Sequence, residues 1–362
     1  MPEFIPGLEL SRIFYEEAVG PLLAAHFPGM LYAAALLGSG SEVLGFDTPV
    51  STDHHWGPRL FLFLPEDDYE CRREEIAATL AERLPYEVRG YSTNFGPPDA
   101  IGVQLRRPIA AGPVNHWVRP ATVGRFVAGL LGVDPHAPLA PRDWLTFPEQ
   151  RLLELTAGAV YHDGPGELTA VRRRFAYYPR DVWLYRLAAQ WKRISQEEAF
   201  MGRCGHSGDD FGSQIVAARL VRDLMRLAFL LERTYAPYSK WFGTAFARLR
   251  CADALGPFCA RALAAATWRE REEHLSGAYR VVARQHNALG VTPPLPEEVA
   301  PYYDRPYLTL RADHFAAALR AAIADEEIRH IAGDYGAVDQ FVDCTDVTMR
   351  PELCRRLGAL YE

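Results

Sequence analysis

Apolar residues recur at helical spacing from residue 8 to about residue 26, in LELSRIFYEEAVGPLLAAH, and this spacing predicts an amphipathic helix. Two apolar runs follow, LYAAALLG at 31–38 and RLFLFL at 59–64. Each has strand length and is bounded by turn-forming residues. Between the second run and a strand-like segment at 86–91 lies RREEIAATLAERL, which reads as an amphipathic helix. Further strands are expected at 101–105, 114–118 and 158–162, with a helix over TVGRFVAGLLG between the last two. Up to about residue 165 the pattern mixes strands and helices.

Beyond that point the strand signals stop. Helical periodicity covers 181–198, 210–233, 240–250, 254–274, 275–289 and 312–324, punctuated by Pro237, Gly256, Pro257 and the prolines between 293 and 296. No internal repeat or low-complexity tract appears. The turn-rich GPGE at 164–167 is the expected border between a first domain over 1–165 and a helical domain over 166–362. The whole chain, 362 residues, agrees with about two domains.

Composition narrows the setting. With 49% hydrophobic and 23% charged residues, each domain can bury a core without disulfide staples. A net charge of −7 and a pI near 5.9 argue against a protein that coats DNA or an anionic membrane. Neither nucleic acid nor a membrane is therefore an expected partner. The longest apolar stretch, 30–37, is far short of the roughly 18 residues that span a bilayer. Acidic residues near the start stand where a signal peptide would carry a basic segment. The six cysteines are scattered with no CxxC pair, as expected of reduced thiols. A cytoplasmic protein is the expectation.

Candidate chemistry concentrates in GSGSEVLGFDTPVSTDHHWGPRLFLFL, residues 38–64. A strand runs into a Gly-Ser-Gly-Ser turn, whose glycines can aim backbone amides at an anion while Ser39 or Ser41 adds a hydroxyl donor. On extended backbone Asp53 and His55 would share one face, with His54 on the other. Two ligands opposite such a turn could hold a metal against a triphosphate. Arg59 could add a phosphate contact. A surface loop rich in turn formers, with Asp53 capping the next segment, is the structural alternative.

The Gly-Ser pair, a spacer and Ser-x-Asp-x-acid before a strand resemble the signature of the nucleotidyltransferase superfamily. More narrowly, GSGSEVLGFD, STDHHWGPR, DWLTFPEQRLLELTAGAVYHDG, YYPRDVWLYRLAAQW and YSKWFGTAFARL resemble the family filed as domain of unknown function 4037, over most of the chain. The resemblance implies an α+β fold. Its parts would be a nucleotidyltransferase-like small mixed β-sheet with flanking helices and, after it, an all-α helical bundle. That bundle would be similar to the C-terminal bundle of kanamycin nucleotidyltransferase and would bind the acceptor. It further implies that Gly38 and Ser39, or Gly40 and Ser41, hold nucleotide phosphates, and that Asp53 is the first metal-binding carboxylate. His55 falls on the second, normally Asp or Glu. The third has no clear counterpart: Asp99 is too early, and VNHWV offers His116.

Weaker candidates lie outside that segment. Lys240 in YSKWF sits at a helix start, where related enzymes place a nucleotide-contacting lysine; a solvated lysine between aromatics is the alternative. Glu197 or Glu198 could supply a base, but adjacent helix residues point about 100° apart, so at most one faces a site. Cys204 and His206 make only half a zinc site. Arg269 and His274 match a spacing seen in some helical-bundle ribonucleases, although the charged run WREREEHL also suits an exposed helix face.

Together these features lead to an expected metal-dependent transfer of a nucleoside monophosphate, from ATP or another nucleoside triphosphate, to a small hydroxyl or amine acceptor. Asp53 and His55 would hold Mg or Mn, and the acceptor would lie between the domains. The rival readings are a catalytically degenerate nucleotide-binding or regulatory module and, further off, a ribonuclease.

Overall fold

The computed structural model describes residues 3–100 and 102–362, which fall into two compact units. Met1–Pro138 with Arg151–Ala176 form the first, and Leu139–Gln150 with Tyr177–Glu362 the second. The division thus falls at 176 rather than in GPGE, and the short segment at 139–150 joins the helical unit.

In the first unit the expected opening helix forms as α1 (Gly7–Phe14) and α2 (Gly20–His26), continuous through a π-helical turn at Tyr15–Val19. Strand β1 (Ala33–Leu36) is followed by a 3-10 helix at Pro49–Asp53, strand β2 (Arg59–Phe63) and helix α3 (Glu66–Arg83). The segment expected as one strand at 86–91 instead makes a tight hairpin, β3 (Glu87–Val88) with β4 (Tyr91–Ser92), because Gly90 takes a positive φ and turns the chain. Residues 102–105 are not a strand, and Ile101 lies outside the described residues. Beside them Phe95 and Arg106 form an isolated bridge. Strand β5 (Trp117–Ala121) starts later than expected, at the end of VNHWV, and leads into α4 (Val123–Leu131), whose first turn is capped by the Thr122 hydroxyl. Helix α5 (Pro141–Trp144) belongs to the second unit, α6 (Glu149–Thr156) bridges residues of both, and β6 (Ala159–Asp163) and α7 (Glu167–Arg174) complete the first.

The sheet is mixed, in the order β5-β2-β1-β6. Strand β1 runs antiparallel to β2 and β6, while β2 and β5 are parallel with Arg59 opposite Trp117 and Phe61 opposite Arg119. Alternation divides the side chains between two faces. Ala34, Leu60, Leu62 and Val118 join Phe14, Val19, Leu23, Ile76 and Leu80 in one buried core. Arg59, Phe61, Phe63, Trp117 and Arg119 occupy the other face, where Phe126 of α4 meets Phe61 and Phe63 edge-on.

In the second unit the long helices α8 (Arg180–His206) and α9 (Asp210–Leu231) are followed by α10 (Ser239–Phe246), α11 (Ala252–Ala264), α12 (Trp268–Ala288) and α13 (Asp313–Ala321). The expected break near 274 is instead at 265–267. There the Thr267 hydroxyl accepts from the Glu270 amide at 3.3 Å and Glu270 accepts from the Thr267 amide at 3.0 Å, a reciprocal cap. The unit is not wholly helical: Ala300–Pro301 pairs with Leu308–Thr309.

Its interior is organised by Arg186, which lies 1% exposed. One guanidinium nitrogen is 3.0 Å from Glu149 and 3.2 Å from Asp339, and another donates to the Tyr178 hydroxyl. Two carboxylates share this cation, and burial with Asp339 close by raises the Glu149 pKa above its ordinary value. The Gln340 amide, which donates to Gln190 and to the Arg186 carbonyl, extends the network. Removing one partner from such a buried group leaves an uncompensated charge. Arg186→Met is therefore expected to destabilise the second unit by about 3–5 kcal/mol in denaturant unfolding.

A pH effect follows from Glu198, whose carboxylate accepts from the amides of Leu310 at 2.8 Å and Ala312 at 3.0 Å. Burial pushes it from 4.5 up to about 7. Because the folded value lies above the unfolded one, its contribution to stability is full below about pH 4.5 and is lost as pH rises through about 7. Glu198→Gln, which keeps the neutral shape, should flatten the fall in Tm between about pH 5 and 8.

Candidate functional site

The turn after β1 is shaped by a buried ion pair. Arg59, first residue of β2, donates through Nε to Glu42 at 2.9 Å and through a terminal nitrogen to the Ser39 carbonyl at 2.7 Å. Both charged side chains are under a tenth exposed. Arg59, expected to touch phosphate, is instead committed to holding the 38–41 turn. Glu42, which the sequence reading passed over, is its counter-charge.

The glycines are required here. Gly38 has φ +84° and Gly40 φ +146°, the region that favours residues without Cβ. A Cβ at Gly40 would lie 2.6 Å from the Arg59 guanidinium and 2.6 Å from the Glu42 carboxylate. The Gly38 amide donates to the Glu154 carbonyl at 2.8 Å. Among the described residues, the amides of Ser39, Gly40 and Ser41 have no hydrogen-bond partner, and Ser39 is exposed. Consecutive unsatisfied amides of this kind suit an anion.

The segment carrying Asp53 and His55 departs from the expected extended backbone. Residues 49–53 form the 3-10 helix, stabilised where Thr48 and Ser51 cap each other. His54 is extended, and His55 has φ +50°. Asp53 is 66% exposed and pairs with His54 Nδ1 at 2.9 Å. The ring of His55 stacks on Trp117, centroids 5.0 Å apart, and its amide donates to the Gln104 carbonyl at 3.0 Å. Phe95 stacks on the same Trp117 at 4.7 Å, and the Arg119 guanidinium lies 4.2 Å from the indole centroid.

This face is rich in positive charge. Burial, His54, Arg119 and Arg59 together lower the His55 pKa, and burial with the Arg59 charge lowers that of Arg119. On the shared face β5 presents Trp117 and Arg119, so this strand offers no acid where a third carboxylate was sought. His116 points the other way. Its Nε2 is 3.0 Å from the Ala77 carbonyl of α3 and its Nδ1 accepts from the Val118 amide. Both ring nitrogens are used, which leaves no lone pair for a metal. Among the described residues no three His, Cys, Asp or Glu side chains form a group that could hold a metal ion. A nearby acid, Asp47, serves structure instead, accepting from the Gly7 amide at 2.7 Å and the Trp56 indole at 3.0 Å.

The candidates of the helical unit have local partners. Glu197 is held by both ends of the Arg219 guanidinium. Glu198 is the buried acceptor described above. Lys240 is exposed, its ammonium 5.2 Å from the Trp241 ring centroid. The His206 ring lies edge-on to Trp268, and Cys204 and His206 have no further His, Cys, Asp or Glu completing a metal group among the described residues. Arg269 stacks on Trp268 and donates to the Pro306 carbonyl, whereas His274 lines a cavity with Phe258 and Arg261. Arg269 and His274 thus have different neighbours on the same helix.

Comparison with known proteins bears on the class. Residues 144–242 match the family described as domain of unknown function (DUF4037). These residues include Trp144, Glu149, Tyr178, Arg186 and Gln190, so motifs that carry the resemblance build the buried network of the second unit. A solved structure, the nucleotidyltransferase-like protein from Exiguobacterium sibiricum 255-15, is 10% identical and aligns over 87% of this chain and 89% of its own, with a TM-score of 0.29. No curated protein matches the chain. The chain resembles the DUF4037 family, has an α+β fold with a small mixed sheet and a largely helical second unit, and has no helix among the described residues long and apolar enough to cross a membrane.

The ion pair under the turn gives a direct test. Glu42→Ala leaves the Arg59 guanidinium buried without its carboxylate and should destabilise the first unit by about 3–5 kcal/mol. Thermal or denaturant unfolding reads that loss, and a change under about 0.5 kcal/mol would contradict it.

Proposed function

We propose that this nucleotidyltransferase-like chain binds a nucleoside triphosphate by its phosphates, without transferring the nucleotide. The free amides of Ser39, Gly40 and Ser41 would receive phosphate oxygens. Arg119, with His55 beside it, would neutralise their charge. One observation carries this reading: the sheet face that holds the turn displays Arg119 and His55, with no carboxylate from β5. Arginine binds phosphate through a planar fork of donors. Burial and neighbouring positive charge, His54, Arg119 and Arg59 around His55 and Arg59 beside Arg119, lower both pKa values, and an anion here would oppose that lowering.

A transferase reading rests on Asp53, which is accessible to a metal. With imidazole at position 55 the site would take manganese or cobalt ahead of magnesium, since magnesium prefers oxygen ligands. In-line attack on the α-phosphate would then need Asp53 and His55 to approach one ion, and of the three carboxylates the resemblance implies only Asp53 is present.

Calorimetric titration with ATP, and with the other nucleoside triphosphates, separates these readings. In chelator, binding should persist and Arg119→Gln should weaken it about 10-fold, the worth of one charge-assisted contact. Pyrophosphate release with manganese or cobalt, shifted toward magnesium in His55→Asp, would establish transfer instead. Failure of every triphosphate to bind, with and without metal, would end both readings.

A further inference from the structure

We propose that the helical unit carries a second anion site, a pocket for a phosphate group, free or as the monoester of a small molecule. A cavity of about 310 Å³ is lined by Arg193 of α8, by Arg219, Arg222 and Asp223 of α9, and by residues 339–343. Three guanidiniums on one concave surface form an unusual concentration of planar donors, suited to a tetrahedral oxyanion.

The acids around the cavity are unequally engaged. Glu197 is bound through both oxygens by Arg219. Asp223 accepts from Gln190 at 3.1 Å and lies 3.5 Å from Arg193. Asp339 faces the buried Arg186, while its carbonyl accepts from Arg226 at 2.6 Å. Arg222 is the exception. It makes no hydrogen bond among the described residues, and its ion pair is a long one, 3.6 Å to Asp343, whose side chain is 79% exposed. Burial and the charges of Arg226 and Arg193 depress its pKa, against the pull of Asp343 and Asp223. An incoming dianion would add to the weak counter-charge that the exposed Asp343 supplies.

The pocket is also built on fixed parts. Gln340 is buried, donating to Gln190 and the Arg186 carbonyl and accepting from the Ala337 amide at 2.9 Å. The wall at 339–343 is thus anchored to the Arg186 network rather than hanging as a loose loop. A volume at the low end of small-molecule pockets, roughly 300–1,000 Å³, suits a phosphate on a short carbon skeleton better than a whole nucleotide.

The test is calorimetric titration of the full chain at low ionic strength with inorganic phosphate, glycerol phosphate and citrate. Using the Arg119→Gln background keeps the sheet face from contributing. Phosphate or its monoester should bind, the tighter of the two identifying the source, and Arg222→Gln should weaken it at least about 10-fold. Asp343→Asn, which removes the competing carboxylate, should strengthen binding roughly 3-fold, and this arm decides the matter if Arg222→Gln does not fold. No binding of either phosphate species at about 10 mM would overturn the proposal. So would tighter binding of citrate, unchanged binding by a folded Arg222→Gln, or no gain in Asp343→Asn.

Discussion

A guanidinium stays charged in any protein environment, so burying Arg186 forces everything around it to adapt. Glu149 at the head of α6, Asp339 near the C-terminal end and the Tyr178 hydroxyl all converge on it. These groups lie far apart in sequence, and the second unit can place them only if its helices pack in one arrangement. The sheet unit solves a smaller version of the same problem with Arg59 and Glu42. In both, a buried cation with defined acceptors fixes geometry that apolar packing alone would leave less specific.

This sharing of labour changes what the family-like motif strings mean. YYPRDVWLYRLAAQW is one of the strings that carry the family resemblance, and its Tyr178, Arg186, Gln190 and Trp191 are interior residues of the helical unit. Polar residues inside a long helix were there to satisfy one another.

Much of the fold was legible from periodicity, because long helices and apolar strand runs announce themselves. The opening helix, β1, β2, α3, α4, α8 and α9 all lie close to where their patterns put them. What failed depended on local turn chemistry or on distant partners. The break between α11 and α12 is set by the Thr267–Glu270 cap, a signature present in the sequence but overshadowed by the charged run after it. The Gly-Ser turn was legible as a special backbone, whereas Arg59 and Glu42 were not recognisable as a pair 17 positions apart. Arg119 was missed because its importance comes from parallel pairing of β5 with β2, which no short window contains. The extended reading of 53–55 gave way because Pro49, Thr48 and Ser51 favour a capped 3-10 turn.

The π-helical turn at Tyr15–Val19 has a consequence for how the opening helix tolerates change. Such a turn holds one more residue per hydrogen-bonded ring than the α-helix around it, which makes it in effect an insertion absorbed without breaking the helix. It resets the angular phase, so that Phe14 before it, Val19 at its end and Leu23 after it all reach the same core. Deleting one residue within 15–19 would let the helix become regular throughout, but would rotate everything downstream by about 100°. Leu23 would then swing away from the core it now fills. The helix would gain regularity and the domain would lose its fit, so the irregular turn is the feature that keeps two stretches of the helix in register with one surface.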